Sequence, residues 1–269
     1  MTGMINAVDR EYRDLSPLEI RIQTHQRYSE ATHDIEADVI EQAAISTGDP
    51  LLDVGPGTGA FLARLAAAGH TAPLFALDFS AESAATCGLI PGVRAARGDA
   101  QHLPFAEDVF TVVTARHMLY HLDDPAAAIT EARRVLRPGG RFTAAVNRES
   151  PYPHMLTLLR DVLTANGIPL LPPVDDKVHG GNLPDLVARG FDTGEPRVLR
   201  RDNALVFDDP EPVVRYLTSV FTLQGVPEDP ALRQAITADL DAAARARFRT
   251  LPGGLWRDPK GYVLVTAVA

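Results

Sequence analysis

The amino-acid sequence predicts an α/β fold: a doubly wound, mostly parallel sheet with helices on both faces. Three observations predict it. Short apolar runs alternate with helical stretches of roughly ten residues as far as residue 150, the pattern of βαβ units. The first of these runs, LLDVG, leads straight through glycines into a helix, as a buried parallel strand does. At 269 residues the chain is also long enough to bury one large core.

Each element has its own signal. Residues 11–47 read as polar and helical, with Ile35, Val39, Ile40, Ala43 and Ala44 at helical spacing before the breaker TGDP. After LLDVG, FLARLAAAGH is a helix stopped near Gly69. LFALDF is a second strand, and SAESAATCGL a helix with Ser80 as N-cap and Glu82 in its first turn. VRAARGD and VFTVVTA are the next strands. PAAAITEARRVL is a helix with Pro125 at its first position, where the missing N–H costs nothing. Pro138-Gly139-Gly140 ends that helix, and RFTAAVN is another strand. Further on, MLTLLRDVLTANG, LPDLVARGF, EPVVRYLTSVF and PALRQAITADLDAAARARF read as helices, PRVLRRDNALVF and GYVLVTAVA as strands. The expected organisation is an N-terminal helical cap segment, 1–47, and a main domain, 48–269, with an insertion at about 151–196 over the sheet edge.

Composition narrows the function. A formal net charge of -9 disfavours a broad phosphate-binding face, so no nucleic-acid partner is expected. The single cysteine, Cys87, supports neither an internal disulfide nor a thiolate zinc site, and no metal is expected. The first residues lack the apolar core of a secretory signal, and no run approaches the ~18 apolar residues of a membrane span. A cytoplasmic protein with no membrane partner, monomeric or homodimeric, is the expectation.

The most informative segment is Asp53-Val54-Gly55-Pro56-Gly57-Thr58-Gly59, between a strand and a helix. Its glycines allow a sharp turn and close approach of a ligand, and the helix start suits an anion. Asp78, ending the second strand, can accept both hydroxyls of a ribose. The loop alone fits a nicotinamide dinucleotide as well as another adenosine-bearing cofactor. Further residues favour the latter. Asp53 would repel a pyrophosphate and attract an ammonium, and Asp99 could accept from an adenine amine beside the apolar Leu103-Pro104-Phe105. An ammonium, a carboxylate, a ribose and an adenine together describe S-adenosylmethionine.

The ordered set LLDVGPGTG, FALDFS, ARGDAQHLPF, VFTVVTARHMLYHLDDP and EARRVLRPGGRF resembles the class I S-adenosylmethionine-dependent methyltransferases. It is most similar to the branch related to the ubiquinone and menaquinone methyltransferases. The resemblance covers about 50–150 strongly, and departs at Pro56, where this branch commonly has Cys or Ala. It implies a seven-stranded Rossmann-like sheet with a small helical cap. It also implies that Gly55, Gly57 and Gly59 shape the turn around the methionine part, with Asp53 near its ammonium. Asp78 would bind the ribose and Phe79 cover the adenine, with Asp99, Ala100 and Gln101 around the base. Arg116 would approach the methionine end from the other side.

Methyl transfer requires a positioned nucleophile, and for a hydroxyl acceptor a proton sink. His117 and His121 follow the fourth strand four residues apart, share a face if helical, and at a pKa of about 6.5 are candidate bases. Tyr12, Tyr28, Tyr120 and His154 are candidate walls for a flat small-molecule acceptor, with His25, Tyr152, Met155 and His179 nearby. The expected activity is methylation of oxygen or nitrogen on a small molecule, in specialised metabolism. An NAD-binding oxidoreductase, or a cofactor-binding scaffold or cyclase that does not methylate, are the alternatives.

Overall fold

The computed structural model describes residues 16–172, 177–192 and 195–269. The chain runs through α1 (Ser16–Tyr28), α2 (Ile35–Gln42), β1 (Leu51–Val54), α3 (Ala60–Ala67), β2 (Leu74–Asp78), α4 (Ala81–Gly88) and β3 (Val93–Arg97). There follow β4 (Phe110–Arg116), α5 (Pro125–Val135), β5 (Leu136–Asn147), α6 (Pro153–Ala165) and α7 (Leu183–Phe191). The last elements are β6 (Arg197–Phe207), α8 (Pro210–Thr218), α9 (Pro230–Phe248) and β7 (Trp256–Val268).

These strands form one seven-stranded sheet in the order β3-β2-β1-β4-β5-β7-β6. Only β7 runs against its neighbours β5 and β6. The order reverses between β1 and β4, and in such sheets ligands bind at the carboxyl ends of the strands at this switch point. Asp34, Ser80 and Asp124 cap α2, α4 and α5 by accepting backbone N–H groups, and Pro125 opens α5. Strands buried on both faces explain the unbroken apolar runs of the sequence.

Three cores hold the molecule. One sheet face buries Leu52, Val113, Phe142 and Val265 against α5 and α7, where Phe142 stacks on Phe191 with centroids 5.4 Å apart. The other face buries Leu51, Val112 and Leu264 under α2, α3 and α4. Each such side chain contributes on the order of 1.5–3 kcal/mol. The third core gathers α6, α8, α9, Phe207 and Trp256. The stretch 151–196 therefore divides: α6 joins this third core, whereas α7 belongs to the main one.

The third core rests on a part of the sheet that the sequence hides. β5 pairs with β7 only from Tyr262 to Val268, so Trp256–Gly261 pairs with β6 alone and rises past the end of β5. The expected strand began at Gly261, because Pro259 reads as a breaker. Here Pro259 is accommodated, its carbonyl accepting the Tyr152 N–H at 2.8 Å. A bridge between Ser29 and Leu205 ties the end of α1 to this extension.

Candidate active site

The carboxyl ends of the central strands open into a cavity of about 1030 Å³, walled on its far side by α1, α6, α8 and the β6–β7 extension. The turn after β1 forms its floor. Gly55 has φ +68° and faces Met118, whose Cβ would stand 2.7 Å from any Cβ built there. Only glycine lets the loop after β4 approach so closely in that backbone state. Gly57 lines the cavity. Gly59 does not; it opens α3 and meets Cys87 and Ile90, so it shapes the turn rather than the wall.

Asp78 lines the cavity at the end of β2. Its oxygens accept the Ser80 N–H at 2.9 Å and the Gly57 N–H at 3.3 Å. Burial, with the nearby Asp53 charge adding, pushes its carboxyl above the ordinary value despite those donors. A carboxylate so placed gains from further hydroxyl donors. Phe79, Asp99, Ala100 and Gln101 line the same end. Asp99 accepts the Gln101 N–H at 2.9 Å, and Gln101 Oε1 accepts the Asp124 N–H at 2.9 Å, fixing the loop after β3 to the start of α5.

Asp53 departs from expectation. It is fully buried beneath the cavity, accepting from Thr114 Oγ1 at 2.8 Å and Arg116 Nη2 at 2.7 Å. Arg116 is the member that reaches the cavity, its guanidinium 4.3 Å from the Phe61 ring centroid. Asp53's oxygens are thus taken up by the protein itself, and Arg116 is the member of the pair on the cavity lining. The physical reason is a neighbouring strand: Thr114 lies directly beside Asp53 in the β1–β4 pairing.

His117 and His121 both line the cavity, though not as a helix face. His117 has φ +53°, held by its N–H to the Ala145 carbonyl at 2.7 Å, and a 3-10 turn over Leu119–His121 brings the second ring round. Burial depresses both imidazoles to about 4, the Arg116 and Lys260 charges adding to it at His117 and those of Arg21 and His117 at His121. Both rings are neutral at neutral pH.

On the acceptor side, Tyr120, His25 and Tyr152 line the cavity as their residue types suggested. Two expected contacts move away. Tyr28 packs on Phe207, centroids 4.9 Å apart, because it faces the third core. His154 sits in the first turn of α6 with its backbone N–H on Asp258, outside the cavity lining. Met155 is core, and His179 accepts the Gly181 N–H. Tyr12 lies outside the described residues. Sequence reasoning missed Arg21, Tyr216, Lys260 and Tyr262, which also line the cavity. Only Lys260 carried a signal, a lone lysine between Pro259 and Gly261 at a strand's start.

Comparison with known proteins meets the same stretch. Residues 52–144 match the family model described as a methyltransferase domain. The chain is 32% identical over 178 residues to the ubiquinone/menaquinone biosynthesis C-methyltransferase of Roseobacter denitrificans, covering 62% of this chain and 66% of that protein. It is 43% identical over 98 residues to the demethylmenaquinone methyltransferase of Mycobacterium marinum, covering 36% and 41%. The chain belongs to the class I S-adenosylmethionine-dependent methyltransferases. The fold of this methyltransferase is also that of the YcgJ protein from Bacillus subtilis, with a TM-score of 0.56 at 19% identity, covering 87% of this chain and 97% of that one. The chain spans about half the length of the curated relatives it matches.

The residues of the methyltransferase fit its cofactor. The glycine turn leaves bare backbone at the cavity floor, the partly buried Asp78 would accept from ribose hydroxyls, and Arg116 would meet the carboxylate of the methionine part. Arg116 Nε is buried without an acceptor among the described residues, so the guanidinium keeps a donor in reserve. Asp78→Ala is expected to weaken S-adenosylmethionine binding by about 1–3 kcal/mol, the scale of hydrogen bonds to a charged group. Calorimetric titration checks it, and an unchanged Kd would remove Asp78 from the site.

Proposed function

We propose that the methyltransferase moves a methyl group onto oxygen or nitrogen of a small-molecule acceptor. The observation that carries this reading is the two-ended cavity. Its volume of about 1030 Å³ stands at the top of the roughly 300–1,000 Å³ range of ligand pockets, which suits two ligands side by side. One end presents Asp78, Asp99 and the glycine turn; the other presents Tyr120, Tyr152, Tyr216 and the histidines. Relatives named for quinone biosynthesis support a flat, aromatic acceptor, for which such rings are suitable walls.

When bound, S-adenosylmethionine supplies an electrophilic methyl group on a sulfonium. The chain's own residues position and desolvate. Met118, Tyr120 and Leu156 present apolar surface that excludes water from the middle of the cavity. His117 and His121, held neutral, each offer a nitrogen lone pair to a hydroxyl or ammonium proton. Transfer to oxygen or nitrogen draws on that feature. The test is incubation with methyl-labelled cofactor and a metabolite extract, followed by mass spectrometry and NMR of the labelled product. A labelled O- or N-methyl small molecule is expected. Label on carbon would overturn the choice of atom, and label on macromolecules alone would overturn the acceptor class.

A further inference from the structure

The far wall of the cavity carries a chemistry for the acceptor, an inference that rests on the methyl-transfer reading. Lys260 stands on the β6–β7 extension, 9% exposed, with its side chain on the cavity lining. Its Nζ contacts His25 Nδ1 at 2.9 Å and Ser29 Oγ at 2.5 Å. An ammonium only donates, so Nδ1 is the acceptor and the His25 proton sits on Nε2, 3.3 Å from Tyr152 Oη. Both partners of Lys260 are therefore neutral. Burial, with the Lys260 charge second, lowers the His25 imidazole to about 3.

No carboxylate lies within ion-pair distance of Lys260 among the described residues. The acid on its own strand face, Asp258, is taken by the N–H groups of His154 at 3.1 Å, Met155 at 2.7 Å and the Trp256 indole at 3.0 Å. The charged residues that α1 and α6 bring to this wall, Arg21 and Arg160, are positive too. Burial draws the Lys260 amine down to about 8, which leaves it mainly protonated at neutral pH. A buried cation without a counter-ion is costly unless a ligand supplies one. The third Nζ–H has no acceptor among the described residues, and the cavity is where one can enter.

We propose that Lys260 receives an ionised oxygen of the methyl acceptor, so that the substrate is a phenol, an enol or a carboxylic acid bound as its oxyanion. His25 and Ser29 hold the ammonium toward the cavity, and neutral tyrosine hydroxyls complete the wall. Stabilising the oxyanion lowers the demand on His117 and His121 as bases.

The test saturates the protein with S-adenosylhomocysteine and titrates three probes: 4-nitrophenol, benzoate and uncharged benzamide. The expected result is benzoate binding at least tenfold tighter than benzamide, or bound 4-nitrophenol absorbing as the phenolate below its free pKa. The first arm identifies a carboxylic acid, the second a phenol or enol. Lys260→Met should abolish the preference without changing the affinity for S-adenosylhomocysteine, and Lys260→Arg should retain it. Wild-type protein that favours neither ionised probe overturns the inference, as does a preference that survives in Lys260→Met. The wild-type comparison decides by itself if Lys260→Met does not fold. Failure of wild type to bind S-adenosylhomocysteine would instead overturn the methyltransferase reading.

Discussion

Acidification from neutrality to about pH 5 is expected to destabilise this methyltransferase by about 3–6 kcal/mol through its buried histidines. The cause is the histidine cluster of the cavity. In the folded chain His25 takes up a proton only near 3, and His117 and His121 only near 4, burial being the main reason at each. In the unfolded chain all three titrate at about 6.5. Between those values the unfolded chain binds more protons, so falling pH favours it and rising pH restores the fold. Each ring contributes about 1–2 kcal/mol at pH 5 after allowance for water in the cavity. That is a large part of an ordinary domain's ~5–15 kcal/mol. Urea unfolding at a series of pH values checks the slope, and His121→Asn should flatten it by one ring's share. Stability that stays level from pH 6.5 to 5 would show the rings to be protonated in the native state.

The second large effect belongs to the pair beneath the cavity. Asp53→Ala is expected to lower stability by about 3–5 kcal/mol, the cost of leaving one partner of a buried ion pair uncompensated. Arg116 would lose its 2.7 Å bond to the carboxylate and Thr114 its acceptor, with no other acid recorded on either. Arg116→Met added to Asp53→Ala should recover part of that loss, since the stranded charge goes with it. Denaturant midpoints of the wild type and the two variants decide the matter. A loss below about 1 kcal/mol in Asp53→Ala would mean that water reaches and solvates the guanidinium. Cofactor affinity should fall in both variants, because Arg116 is the part of the pair that the cavity feels.

The strand-end half of the cavity lining was legible in the chain because its residues follow directly on strand ends. Gly55, Gly57, Asp78, Asp99 and Arg116 each stand within a few residues of a parallel strand, and a parallel sheet brings all such ends to one rim. Asp53 was misread for a related reason. Its position one residue inside β1 marks its depth, but only the register with Thr114 and the reach of Arg116 across from β4 show that its oxygens are already occupied.

The acceptor half follows a different logic. Tyr28 and His154 had suitable chemistry and the wrong place: Tyr28 packs into the third core, and His154 is exposed in the first turn of α6, outside the cavity lining. Lys260 had the right direction and an unpromising context, since a strand through Pro259 is credible only once β6 is seen pairing along it. His25 and Lys260 are separated by 235 residues and meet only because a bridge from Ser29 to Leu205 lays α1 against that extension.

By itself, then, the sequence determined the alternation of strands and helices, the parallel rim and the glycine turn and acidic residues carried on it, because local periodicity and glycine turns specify these without distant partners. Tertiary structure decided which aspartate lines the cavity, which aromatic rings reach its far wall, and that a lysine with no counter-ion among the described residues stands on that wall. Those properties arise from strand register and helix packing across the chain, where direction and neutralisation depend on residues far away in sequence.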